Sequence, residues 1–198
     1  MTKKILAALA LGVISGLFII PQKIYAHTGL MMDIGLCLLL FFVGIDLGSN
    51  KEIFSSLKKV GFKVLMIPVA TIAGSLFGGI ICSIIFKMDL FGSLAVASGM
   101  SWYTLSAIII TPVSAELGTV AFLTNVFREI LAFIFIPTIA KRIGYLETIA
   151  AGAAISMDTG LPIITKNTSQ ELAVISFISG VIISLSVTVL VPIFVGLI

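Results

Sequence analysis

The residues with the most chemical potential are three ionisable side chains set in apolar surroundings. Arg128 and Glu129 stand side by side in the middle of the apolar run 118–140, and Asp158 stands in the string Ser156-Met157-Asp158-Thr159-Gly160-Leu161-Pro162. A charge at the centre of a bilayer costs about 2.5–3.5 kcal/mol on insertion scales, so such groups face protein or water and mark a polar pathway. Glu129 and Asp158 are suited to receive a cationic group or protons, with Arg128 positioning one acid or a substrate carboxylate. The competing reading is a static Arg128–Asp158 pair that locks one segment to another. Neighbouring helical residues point about 100° apart, whereas residues three or four apart share a face. Asn125 therefore flanks both Arg128 and Glu129, and the three form a polar stripe.

Composition sets these residues in a membrane. Of 198 residues, 59% are hydrophobic and 11% charged, and the mean hydropathy is +1.25. Soluble domains carry about 25% charged residues, so this chain could not clothe a water-facing surface. One His, two Cys and one Trp exclude most zinc sites, His-based triads and a disulfide framework. Cys37 and Cys82 lie in apolar runs and read as packing residues, and His27 has no cluster around it. Phosphate-loop, nucleophile-elbow and zincin signatures are all missing. No enzyme chemistry, metal, cofactor or nucleic-acid binding is expected.

The positioning elements follow from apolar length and punctuation. Residues 4–20, 30–48, 64–86, 118–140 and 172–196 each suit a membrane helix, which needs about 20 apolar residues. Lys3 and Lys4 could also open a signal peptide, although the run is long for one and Ile24 is poor at the small-residue position. Residues 90–116 and 145–166 are apolar but interrupted: the first by Gly99, Ser101, Thr104 and Ser106, the second by the Gly160 and Pro162 region. Basic residues mark the cytoplasmic side. Lys3 and Lys4 place the N-terminus inside, and Lys51, Lys58, Lys59 and Lys63 fall inside after two crossings. Lys141 and Arg142 are inside only if residues 90–116 enter and return on the outer side. The same logic makes 145–166 a hairpin entered from the inside, with the C-terminus outside. Five spans and two oppositely oriented re-entrant hairpins result, an all-α polytopic fold. Broken backbone at depth must be buried in protein or line a watery cavity.

The two hairpin-plus-span units repeat at one offset, since 156 − 101 = 55 relates Ser101 to Ser156. The same offset pairs Thr104 with Thr159, Ser114 with Ser169, Glu116 with Glu171 and Pro137 with Pro192, without a gap. Each unit crosses once, so the second copy is inverted relative to the first. Transporters bind substrate where inverted repeats meet, on discontinuous segments near the midplane. Candidate substrate- or proton-binding residues are thus Glu129, Asp158, Arg128, Asn125, Ser101, Trp102, Tyr103, Thr104, Ser156 and Thr159. For the Ser and Thr residues, satisfying freed backbone groups is an equal reading, and Trp102 and Tyr103 also suit a membrane interface. Asp33 and Asp46 sit near the outer and inner ends of the second run; Asp46 reads as helix-end solvation, and an outer vestibule is the reading open to Asp33. The copies diverge where charge appears: Asp158 replaces Tyr103, while Ile183 and Ser184 replace Arg128 and Glu129. Residues 1–87 read as a scaffold and 88–198 as a transport core, with repeats 91–143 and 146–198.

Four strings resemble the LysO family of bacterial lysine exporters. They are Phe42-Val43-Gly44-Ile45 before a basic loop, Gly99-Met100-Ser101-Trp102-Tyr103-Thr104-Leu105-Ser106, Phe127-Arg128-Glu129, and Ser156 through Pro162. The resemblance covers essentially the whole chain in order and spacing. It implies export of L-lysine across the bacterial cytoplasmic membrane, driven by proton exchange and dependent on two intramembrane acids, here Glu129 and Asp158. Full-length relatives resemble this chain plus roughly three more N-terminal spans. That difference implies a split transporter whose short three-helix subunit is encoded separately, with a homodimer or an inactive truncated relative as rivals. Other readings kept open are export of another cationic amino acid or polar metabolite, and a channel or structural membrane subunit.

Overall fold

The computed structural model describes residues 64–198 continuously and, before them, Leu11, Ile14, Ser15, Gly16, Phe18, Ile34, Leu38, Phe41 and Ile45, all helical. The chain forms two compact units, Met1–Asn50 and Lys51–Ile198. The expected spans 4–20 and 30–48 fall almost wholly outside the described residues. Lys3, Lys4, His27, Asp33, Cys37, Asp46 and the basic residues of 51–63 lie outside them entirely.

The described part of the second unit is helical, with no strand. Helix α1 is Met66–Phe86, α2 is Leu90–Ala97 and α3 is Tyr103–Ile110. Helix α4 is Ala115–Arg142 and α5 is Tyr145–Gly152, followed by a 3₁₀ turn at Ala153–Met157. Helices α6, Leu161–Asn167, and α7, Gln170–Val195, complete the chain. Among the described residues, α1, α4 and α7 are the three helices long and apolar enough to cross a membrane. They coincide with the runs expected at 64–86, 118–140 and 172–196.

Local sequence explains where these helices start and stop. Asp89 caps α2 by accepting a hydrogen bond from the Gly92 N–H at 2.8 Å. Ser114 and Ser169 cap α4 and α7 in the same way, through the N–H groups of Leu117 and Leu172. Glu116 and Glu171 lie in the first turns of these helices, and Lys141 and Arg142 close α4, each charge complementing the helix dipole. The offset of 55 is visible in the secondary structure: 90 + 55 = 145 and 97 + 55 = 152 carry α2 onto α5 end for end. Pro137 and Pro192 occupy matching places inside α4 and α7.

Contacts with the long helices show that residues 90–111 double back. A Cβ on Gly92 would lie 3.1 Å from Leu117, and Gly118 packs directly on Thr111, so both arms begin beside the first turn of α4. The tip lies farther along, where the Ser101 N–H reaches Asn125 Oδ1 at 2.8 Å. Eight residues of helix separate Leu117 from Asn125, a depth of about 12 Å at 1.5 Å per residue. Helix α1 fixes the descending arm: Ser93 Oγ donates to the Gly79 carbonyl at 2.7 Å and Ser75 Oγ to the Ala97 carbonyl at 2.8 Å. In the second copy, Gly152 faces Ile164 across the turn, with a Cβ-to-side-chain distance of 3.2 Å. The turn itself rests on α7, where Ser156 and Ser176 each donate a hydroxyl proton to the other's carbonyl, at 3.2 and 2.8 Å.

The two tips meet. The Ala154 N–H donates to the Met100 carbonyl at 3.1 Å, joining the broken turn of one copy to that of the other. Around this bond, Ala95, Val96, Met100, Ile110, Ala121, Ala153, Ala154, Ile183, Val187 and Val191 form one buried core. Four of the ten are alanines, Ala95, Ala121, Ala153 and Ala154, and such small residues allow backbones to approach closely where water supplies no driving force. The outer face is apolar, with Phe77, Ile84, Phe127 and Leu185 all exposed, as a lipid-facing surface requires.

Candidate functional site

The first break is strained and held from two sides. Met100 (φ 43°) and Ser101 (φ 77°) are in the left-handed region, which costs non-glycine residues of order 1–3 kcal/mol and persists only when surroundings enforce it. Enforcement comes from the Ala154–Met100 bond and from Asn125, which is 1% exposed. The Asn125 amide accepts from the Ser101 N–H at 2.8 Å and donates to the Ala121 carbonyl at 2.9 Å. It also lies 3.3 Å from Ser106 Oγ, whose hydroxyl returns to the Trp102 carbonyl at 2.9 Å. Asn125 is thus spent on the backbone of the break.

Replacing Asn125 with Leu should strand the Ser101 N–H in an apolar interior, a penalty of about 1–3 kcal/mol. The expected result is a lower melting temperature in detergent, together with impaired transport. Thr104 is exposed, and Thr104→Val should leave both near wild type.

One helical turn beyond Asn125, on the same face of α4, Glu129 reaches the second hairpin. Its Oε1 accepts from Thr159 Oγ1 at 2.9 Å, and the same hydroxyl lies 3.3 Å from Asp158 Oδ1. The Thr159 N–H also donates to Asp158 Oδ1, which orients the carboxylate. Tyr103 is within electrostatic reach of both acids, and its ring packs edge-on against Phe122, centroids 5.5 Å apart and planes at 89°. Four candidates therefore gather: Glu129, Asp158, Thr159 and Tyr103. They come from both copies of the repeat, and none is fully buried.

Arg128 goes elsewhere. Its Nη1 donates to Ser75 Oγ on α1 at 2.8 Å, and among the described residues it forms no ion pair with Asp158 or Glu129. It lines a cleft of about 640 Å³ between α1, α2 and α4, with Thr71, Gly74, Gly78 and Thr124. The 100° turn between adjacent residues separates it from Glu129. Ser156 is bound to Ser176, and the buried Ser101 Oγ has no hydrogen-bond partner among the described residues. Trp102 is half-buried against the core.

Sequence reasoning overlooked Ser75, Ser176 and Gly180. The offset of 55 could have found Gly180, because it stands where Asn125 stands in the first copy. Without a side chain there, the second turn packs directly on α7, and an added Cβ would lie 2.6 Å from the Met157 nitrogen. Among the described residues, no group of three His, Cys, Asp or Glu side chains gathers to hold a metal.

These features define a helical membrane protein whose two broken turns meet backbone to backbone, with one carboxylate of a long helix and one of the second turn beside them; discontinuous segments of this kind are used by secondary transporters. The chain belongs to the lysine exporter LysO family, whose family model matches residues 6–195. It is 32% identical to "Lysine exporter LysO" of Escherichia coli (strain K12) over 171 residues, which cover 85% of this chain and 56% of that protein. It is 31% identical to "Putative lysine exporter" of Haemophilus influenzae (strain ATCC 51907 / DSM 11121 / KW20 / Rd) over 189 residues, 92% of each. The chain thus spans little more than half of the first relative and nearly all of the second. No solved structure matches it.

Proposed function

We propose that this protein exports L-lysine across the bacterial inner membrane in exchange for protons, using Glu129 and Asp158 as the alternating site for the lysine ammonium group and the proton. The observation that carries this reading is the carboxylate pair, one acid from each copy of the repeat, joined through Thr159 beside the bonded tips. A carboxylate neutralises an ammonium group at depth, and a proton can replace it on the return. The names of the relatives support lysine as the cargo, and two neighbouring carboxylates support a cationic one.

In this reading the protein has five spans and two re-entrant hairpins, an inside N-terminus and an outside C-terminus. Residues 88–198 are the transport core and 1–87 the scaffold. Cysteine introduced at Lys141 is then labelled by an impermeant reagent from the cytoplasmic side; labelling from the outside alone would overturn this orientation.

The deciding experiment measures lysine efflux from dipeptide-loaded cells lacking their own exporters, expressing this chain with and without any short membrane protein encoded as its genomic neighbour. Efflux that needs the neighbour supports a separate three-helix subunit, and efflux without it supports a homo-oligomer. No efflux from either, with the protein present in the membrane, rejects lysine. Competition by arginine or ornithine tests the wider class of cationic amino acids. Non-saturating flux indifferent to a proton gradient would indicate a channel.

A further inference from the structure

We propose that the Thr159 hydroxyl is a proton relay that ties the occupancy of Asp158 to that of Glu129, so that the two acids hold a single proton between them when no cation is bound. This inference rests on the export reading above. Thr159 Oγ1 stands 2.9 Å from Glu129 Oε1 and 3.3 Å from Asp158 Oδ1. A hydroxyl owns one proton and can donate it to one oxygen at a time. When it donates to Glu129, its contact with Asp158 becomes a hydrogen bond only if Asp158 carries a proton; the converse holds in the other direction. Two carboxylates sharing one site resist ionising together.

Among the described residues, the surroundings add no compensating charge. From α4 the groups are Glu129 itself and Arg128, which is turned to Ser75. From the first hairpin the group is Tyr103, and from α7 it is the neutral Ser184, hydrogen-bonded to Met157 Sδ at 3.6 Å.

The transfer is balanced. The Asp158 O–H bond breaks as its proton passes to Thr159 Oγ1, and the proton already on Thr159 passes to Glu129 Oε1. The hydroxyl is regenerated, and the charge has moved from one acid to the other. A cation arriving at one carboxylate then expels the proton by way of the other, which makes exchange obligatory. The Thr159 N–H bond to Asp158 Oδ1 is unaffected by removing the hydroxyl, so the relay can be abolished without releasing the carboxylate.

The test uses the full chain, with its neighbour if export requires it, reconstituted in liposomes. Thr159→Val and Thr159→Ser are compared in lysine counterflow, which moves no net protons, and in net export driven by a pH gradient. Thr159→Ser should keep both. Thr159→Val should lower gradient-driven export about 100-fold, the scale on which losing a positioned proton-transfer group acts, and far more than it lowers counterflow. Gradient-driven export at the wild-type rate in Thr159→Val overturns the relay, as does equal loss of both modes in Thr159→Val and Thr159→Ser. Infrared spectra provide a reading without lysine. A protonated carboxyl band should be present in the wild type, absent in Glu129→Gln and Asp158→Asn, and shifted in Thr159→Val. A band unchanged in Asp158→Asn overturns the relay even if Thr159→Val does not assemble. Absence of wild-type lysine counterflow would instead reject the export reading, while the infrared result still decides the relay.

Discussion

On the proposed export function, Asp158→Asn is expected to abolish lysine export while leaving the protein in the membrane in near-normal amount. The substitution keeps the shape of the side chain and an oxygen able to accept the Thr159 N–H, so the turn loses no hydrogen bond to its backbone. It removes the negative charge. Truncating one partner of a buried charge pair costs about 2–5 kcal/mol, which for a lysine ammonium group at this depth is a loss of about 30-fold or more in binding. The proton-carrying half of the cycle is lost as well, since an amide does not titrate. Glu129→Gln should fall as far for the same reason, and the double variant no farther, because residues acting as a unit are not additive. Efflux from dipeptide-loaded cells, with membrane protein quantified alongside, checks this. Wild-type export by Asp158→Asn would remove the residue from the mechanism.

Gly180→Ala is the second large effect, and it acts through packing. The added methyl would lie 2.6 Å from the Met157 nitrogen, 2.7 Å from Met157 Cβ and 2.8 Å from Ser156 Oγ. The first of these is backbone, so the turn must move away from α7. Overpacking of this kind typically costs about 1–3 kcal/mol. The displaced residue adjoins Asp158, and a misplacement of about 1 Å at a reacting group can cost about 100-fold in rate. The expected result is a lower melting temperature and export reduced far beyond the loss of folded protein. Gly78→Ala is the matched control, because its Cβ would meet nothing within 4 Å. Equal effects from the two substitutions would show that helix propensity, and not contact with the turn, governs Gly180.

Much of this protein is determined by sequence alone, because the relevant physics is local. The lengths of apolar runs mark α1, α4 and α7 to within a few residues. Gly99, Ser101, Gly160 and Pro162 mark the two interruptions, since each disturbs or competes with the helical ladder. The offset of 55 from Ser101 to Ser156 foretells that α2 and α5 match end for end, and family membership was legible in the same strings. Glu129 and Asp158 stand out because charge in an apolar run is expensive wherever the run goes. What each polar side chain touches was decided only by the tertiary structure. Arg128 and Glu129 are neighbours in sequence, but the helix turns them about 100° apart; one meets Ser75 on α1 and the other Thr159. Asn125 shares a face with Glu129, yet the first hairpin lies against that turn of α4 and takes the amide for its own backbone. Thr104 and Thr159 are equivalent in the repeat, but one is exposed and the other bridges two acids. Spacing along one helix specifies direction, whereas the partner found in that direction depends on which distant segment packs there.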